Sequence, residues 1–210
     1  LYAVEFDTRA VHALGSLSDA VQGRLEIIHQ DALTLDISTL EGANGAVIIA
    51  NLPYNIATPL LIGWLRDICT GRNRYEKMVL MFQKEVAERL TAVPGTGNYG
   101  RLSVLAQWIC HVDRLFDLPP QAFSPPPKVV SRVVGFSSRL EGAELPTKLF
   151  AQVEEITQKA FGKRRKMIRQ SLKEYSGILE VLNIDPTLRA ENLDPQTYVR
   201  IAEHALDRSQ

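Results

Sequence analysis

Short apolar runs rich in β-branched residues alternate, over the first part of the chain, with segments whose apolar positions recur every three or four residues. Residues 1–5, 25–29 and 46–50 read as buried strands, and polar side chains stand at their carboxyl ends: Glu5, Asp31 and Asn51. Residues 9–17 and 59–68 carry helical spacing, the second opening with Thr58-Pro59 as cap and first-turn residue. A strand over 78–82 runs into a helix over 84–90, and Pro94, Gly95, Gly97, Asn98 and Gly100 mark a surface loop before a helix over 102–111. Residues 115–118 and 129–136 predict two further strands, an edge hairpin whose link contains Phe123-Ser124-Pro125-Pro126-Pro127, where the prolines impose an extended backbone. Beyond Phe136 the pattern is purely helical: Leu149, Phe150, Val153, Ile156 and Ala160 form one stripe, and Asp194-Pro195 opens a last helix. The alternation predicts an α/β domain with a largely parallel sheet over 1–138 and a small all-α domain over 139–210, with the boundary inside 137–146.

A chain of 210 residues, 45% of them apolar, can bury one substantial core and a smaller second one, which excludes a disordered tail and a disulfide-stapled miniprotein. Its longest apolar stretches, such as 46–50 and 60–62, fall far short of the roughly 18 residues of a spanning helix, so no membrane segment is expected. Cys69 and Cys110 lie in apolar, helical-looking stretches away from any ligand spacing, which fits a reducing, cytoplasmic setting and no structural metal site. His12, His29, His111 and His204 show no mutual spacing that suggests a metal site or a triad. The N-terminus has neither an initiator methionine nor a signal-peptide layout, so the natural protein is expected to begin upstream of Leu1.

Formal charge sums to zero, but unevenly. Residues 1–50 hold Arg9 and Arg24 against Glu5, Asp7, Asp19, Glu26, Asp31, Asp36 and Glu41. Lys159, Lys163, Arg164, Arg165, Lys166, Arg169 and Lys173 follow one another with no acid among them, interleaved with Phe161, Ile168 and Leu172 at helical spacing. Such a face can pack on one side and reach an anionic partner's phosphates on the other, although a run of charges taken alone is more often an ordinary solvated face.

The tetrapeptide Asn51-Leu52-Pro53-Tyr54 follows the strand over 46–50 directly. An exocyclic adenine amine has its lone pair delocalised into the ring. Two acceptors on its N–H groups, Asn51 Oδ1 and the Leu52 carbonyl, favour a more pyramidal and nucleophilic nitrogen, so no strong base is needed. Pro53 removes a competing donor and stiffens the turn, and Tyr54 offers a stacking face to a splayed-out base. A plain turn with Tyr54 packed in the core fits the tetrapeptide alone equally well.

Seven stretches, in order, resemble the successive motifs of the KsgA-type ribosomal RNA adenine N6-dimethyltransferases: 3–7 (AVEFD), 30–32 (QDA), 51–54 (NLPY), 83–86 (QKEV), 99–103 (YGRLS), 123–129 (FSPPPKV) and 164–166 (RRK). The resemblance spans essentially the whole chain. It implies a Rossmann-type class I methyltransferase sheet, a small helical RNA-binding domain and S-adenosyl-L-methionine as cofactor. Carried over by position, Glu5 resembles the ribose-binding acid and Asp31 the carboxylate that meets the cofactor's adenine amine, with the Ala32 N–H on the same ring and Asn51 also a cofactor contact. Asp7 reads better as a helix cap. Asn51, Leu52, Pro53 and Tyr54 become the catalytic turn, Phe123 the ring that closes on the target base opposite Tyr54, and Lys163, Arg164, Arg165, Lys166 and Arg169 the RNA contacts.

The activity implied is dimethylation of two adjacent adenines in the 3′-terminal stem-loop of small-subunit ribosomal RNA, with the immature small ribosomal subunit as partner. The proline-rich Phe123 segment and the Arg-Arg-Lys run lean toward that enzyme over an Erm-type large-subunit (23S) methyltransferase. A non-catalytic RNA-binding assembly factor is the rival outside the enzyme class. The family's first strand and glycine-rich loop have no counterpart before Glu5. A chain beginning here is therefore expected to lack a lead-in on the order of thirty residues, to expose strand edges and to bind the cofactor weakly or not at all.

Overall fold

The computed structural model describes residues 1–42, 45–72, 75–140 and 145–208. They form two compact units, Leu1–Glu41 and Gly42–Gln210. In the first, β1 (Tyr2–Glu5) leads into α1 (Thr8–Ala20) and returns as β2 (Glu26–His29), parallel to β1 with Tyr2 opposite Glu26 and Glu5 opposite His29. Asp7 caps α1 by accepting the Arg9 N–H at 2.8 Å, the role its sequence position suggested.

The second unit holds β3 (Val47–Ala50), α2 (Tyr54–Cys69), β4 (Lys77–Gln83), α3 (Lys84–Leu90), α4 (Arg101–Ile109), β5 (Cys110–Leu118) and β6 (Ser131–Ser138). Four helices follow: α5 (Thr147–Gly162), α6 (Ile168–Ser171), α7 (Ser176–Val181) and α8 (Pro195–Asp207). Its sheet runs β3-β4-β6-β5. β3 and β4 are parallel, whereas β6 is antiparallel to both neighbours, so this sheet is mixed rather than largely parallel. The antiparallel pair β5 and β6 is the expected hairpin. β6 lies between two strands and its first six residues are buried; β5 is buried only at Cys110. The described residues include no helix long and apolar enough to cross a membrane.

α2 buries Ala57, Leu60, Leu61, Trp64, Leu65, Ile68 and Cys69, the i, i+3, i+4 stripe of an amphipathic helix. α4 is buried nearly all round because it packs against α2, α3, α5 and α8. Trp108 of α4 stacks on Phe150 of α5 at 5.9 Å, and Phe82 meets Phe136 edge-on at 6.2 Å. Burial pushes the Cys69 thiol up to about 12, and does the same to Cys110, so neither is a nucleophile near neutral pH.

Three sequence expectations shift. α2 starts at Tyr54, not Pro59; Pro59 lies inside it at an exposed position, where water can serve the Asn55 carbonyl that the missing N–H leaves free. α4 ends at Ile109 and passes into β5 without a loop, so Cys110 and His111 are strand residues and β5 starts five residues before the expected 115. The basic stretch is not one helix: α5 ends at Gly162, 163–165 form a turn, and Ile168 begins α6. Part of the expected domain boundary, 141–144, lies outside the described residues.

Candidate functional site

The turn Asn51-Leu52-Pro53 joins β3 to α2 with no intervening loop, and Tyr54 is the first helical residue. Pro53, with φ −54° and ψ 133°, holds the chain extended until its carbonyl accepts the Ile56 and Ala57 N–H groups at 3.1 Å. That leaves the Leu52 carbonyl and the exposed Asn51 amide without a hydrogen-bond partner among the described residues. Two acceptors are thus available at the carboxyl end of a strand, where open α/β sheets bind their ligands.

A cleft of about 310 Å³ opens beside this turn, lined by Asn51, Leu52, Pro53, Tyr54, Met81, Phe123, Pro125 and Pro127. That is near the lower end of small-molecule sites, about 300–1,000 Å³, and suits one nucleobase better than a large ligand. Tyr54 and Phe123, far apart in sequence, both face it, and both are half-buried. A short turn over Pro120–Ala122 precedes Phe123, whose N–H bonds the Pro120 carbonyl at 3.2 Å. Three lining residues, Met81, Pro125 and Pro127, were not singled out as site residues, because a strand residue and two prolines carry no chemistry that marks them in sequence.

Ser131 was missed as well. It is completely buried at the start of β6, and its hydroxyl meets the Tyr54 hydroxyl at 2.7 Å. Its neighbour Arg132, 6% exposed, is gripped by Asp117 across the β5–β6 pair, with Lys84 3.6 Å from the same carboxylate. The Arg132 guanidinium, then its charge and that of Lys84, pulls the Asp117 carboxyl down to about 2. A depressed folded-state value means this contribution to stability is complete above the ordinary 3.8 and drains away as pH falls toward 2. Urea midpoints measured from pH 5 to pH 2 should therefore fall more steeply in the parent than in Asp117→Asn; equal slopes would show that the pair contributes nothing.

In the first unit, Glu5 and Asp31 stand at the same end of the parallel β1–β2 pair. Glu5 Oε1 accepts the Phe6 and Asp7 N–H groups at 2.7 and 2.8 Å. Asp31 Oδ1 accepts the Leu33 N–H at 2.9 Å. Glu5 Oε2, Asp31 Oδ2 and the Ala32 N–H make no hydrogen bond among the described residues, so two acceptors and a donor are available together, a set that fits a ribose diol and an adenine edge. The described residues include no group of three or more His, Cys, Asp or Glu that could hold a metal ion.

The basic run divides. Lys159 bonds Glu155 at 2.6 Å and Glu174 at 2.7 Å, so it is already neutralised by acids lying outside the run or on the same helix face. Arg164 bonds Glu191 at 2.8 Å and the Thr96 carbonyl at 3.2 Å, tying the 91–100 loop to the end of α5. Lys163, Arg165, Lys166 and Arg169 are exposed and make no ion pair among the described residues. Ile168 and Leu172 are buried, and Phe161 packs between Tyr99 and Tyr198.

An α/β core with an Asn-Leu-Pro-Tyr turn at a strand's carboxyl end, followed by a helical part, is the architecture of a Rossmann-like methyltransferase. The family model for ribosomal RNA adenine dimethylases matches residues 1–207. Ribosomal RNA small subunit methyltransferase A of Rhodospirillum rubrum is 48% identical over 206 residues, covering 95% of this chain and 68% of that protein. The protein of the same name from Gluconobacter oxydans is 49% identical over 203 residues, covering 95% and 64%. The chain thus spans about two thirds of the length of these relatives. The crystal structure of a dimethyladenosine transferase from Plasmodium falciparum superposes with a TM-score of 0.82 at 22% identity, covering 99% of this chain and 82% of that one. The structure of the 23S rRNA methyltransferase ErmE gives 0.64 at 21% identity, covering 96% and 80%. These two likenesses concern the fold. The chain belongs to the ribosomal RNA adenine dimethylase family.

Proposed function

We propose that the protein transfers methyl groups from S-adenosyl-L-methionine to the N6 atoms of two adjacent adenines in the 3′-terminal stem-loop of small-subunit ribosomal RNA, twice on each base. The observation that carries this reading is the cleft in which unpaired acceptors on Asn51 and Leu52 lie beside the rings of Tyr54 and Phe123. The small-subunit names of relatives at 48–49% identity favour this RNA over the large-subunit alternative. A substrate of that kind implies a cytoplasmic location.

The cofactor, held through Glu5, Asp31 and Ala32, would supply an electrophilic methyl carbon on a sulfonium. The chain's own residues do the rest by alignment. A purine drawn from its helix is held between Tyr54 and Phe123. Asn51 Oδ1 and the Leu52 carbonyl accept from its two N–H groups in the first transfer, and one of them accepts from the remaining N–H in the second. The contact strengthens as the nitrogen pyramidalises, so it favours the transition state over the ground state, and the proton that each methyl displaces passes to water. Exposed Lys163, Arg165, Lys166 and Arg169 on the helical part, with Arg164 beside them, meet the RNA backbone.

Radiolabelled methyl transfer to unmethylated small ribosomal subunits, by a protein of its relatives' full length and with large-subunit RNA alongside, tests the reading. Label in two adjacent adenines of the small-subunit RNA is expected. Label only in large-subunit RNA, or salt-sensitive binding with no transfer, would overturn it in favour of the other methyltransferase type or an assembly factor. Converting Lys163, Arg165, Lys166 and Arg169 together to Gln should lower the slope of log affinity against log salt by about 3, at about 0.7–0.9 per phosphate contact. An unchanged slope would remove these residues from the interface.

A further inference from the structure

Tyr54 is poorly held by its own element. It is the first residue of α2, the helix has no side-chain cap, and its ring borders an open cleft on one side. A ring at a helix terminus has the freedom of a fraying end, yet a base sandwich needs both faces fixed before the base arrives.

The restraint comes from residue 131. Its hydroxyl meets the far tip of the Tyr54 ring at 2.7 Å, across 77 positions of sequence. Ser131 is fully buried and is the ladder partner of Gln83 on β4 and of Leu118 on β5, so its position is set by strands on both sides. The residue before it is pinned too, because the Val130 carbonyl accepts the Lys84 N–H at 2.9 Å. The Ser131 hydroxyl has no other partner among the described residues, so the two hydroxyls satisfy each other.

We infer that Ser131 is a positioning residue for methyl transfer: its buried hydroxyl fixes the Tyr54 ring in the orientation that receives the target adenine. This rests on the base-capture reading of Asn51, Tyr54 and Phe123. Ser131 touches neither the base nor the methyl donor, and acts only through the ring.

The test is a double-mutant cycle in the full-length protein with Ser131→Ala, Tyr54→Phe and the pair. Both substitutions are near-isosteric and leave the ring in place. Each single variant should lower kcat about 2- to 10-fold with the KM for RNA unchanged, and the pair should be no slower than the slower single. RNA carrying 2-aminopurine at the target position gives a readout that a merely structural role would not move. Stacking quenches this base, and the quenching should weaken in Ser131→Ala but weaken no further when Ser131→Ala is added to Tyr54→Phe. Losses that multiply, or kcat and quenching unchanged in Ser131→Ala, would overturn the inference. Asn51→Ala is measured in parallel. If it keeps full turnover, the base-capture reading itself fails; if it loses turnover while the cycle is multiplicative, only the role of Ser131 fails.

Discussion

Asn51→Ala lowers kcat by about 10²- to 10³-fold, the loss that follows removal of one aligned donor or acceptor from a preorganised site. The amide is exposed and unbonded among the described residues, so its removal costs the fold almost nothing, and the melting temperature should stay within a degree or two of the parent. RNA affinity should also hold, because the phosphate contacts proposed above lie on the helical part. A fall in kcat with KM preserved is the signature of an interaction made mainly in the transition state. Single-turnover methyl transfer separates this from a product-release effect. Turnover equal to the parent would remove Asn51 from the chemistry.

Loss of either ring should be the next largest effect. Stacking on one aromatic side chain is worth about 1–3 kcal/mol per base, so Phe123→Ala should reduce kcat/KM about 5- to 150-fold. Phe123→Tyr should retain most of it. Phe123 sits half-buried on an extended link rather than in the core, so a stability change large enough to mimic this is not expected. In the proposed sandwich Tyr54→Ala removes the opposite face of the same base, so the two losses should not add, since a base held on one side already fails to be held. Fully additive losses would mean that the rings serve different contacts.

Much of the scaffold was legible because its signals are local. Hydrophobic runs bounded by polar residues located the six strands found among the described residues, and Asp194-Pro195 located the start of α8. The errors came where a local signal met a tertiary constraint. Thr58-Pro59 imitates a helix start, but β3 feeds directly into α2, and a proline on the exposed side of the second turn costs little there. The helical spacing through 102–109 continues into Cys110 and Val112, so periodicity alone could not show the chain changing to strand at Cys110. The cleft had the same mixture. Asn51, Tyr54 and Phe123 could be named from their motifs, whereas Ser131 could not, since a serine entering an apolar strand declares its partner only when Tyr54 is folded against it. Arg164 shows the reverse: its charge stands out in sequence, whereas the Glu191 carboxylate its guanidinium bonds could be found only in the fold.

The direct passage from α4 to β5 leaves no slack in the chain at Ile109–Cys110. A single amino acid spliced in there has two outlets. The irregularity between Arg114 and Phe116 can swell to swallow it, or the whole of β5 slides by one position. Because alternate strand residues point to opposite sides, sliding would swing Asp117 away from Arg132 and leave that guanidinium stranded. Epitope tags and domain fusions therefore belong elsewhere in this molecule, at a joint with length to spare.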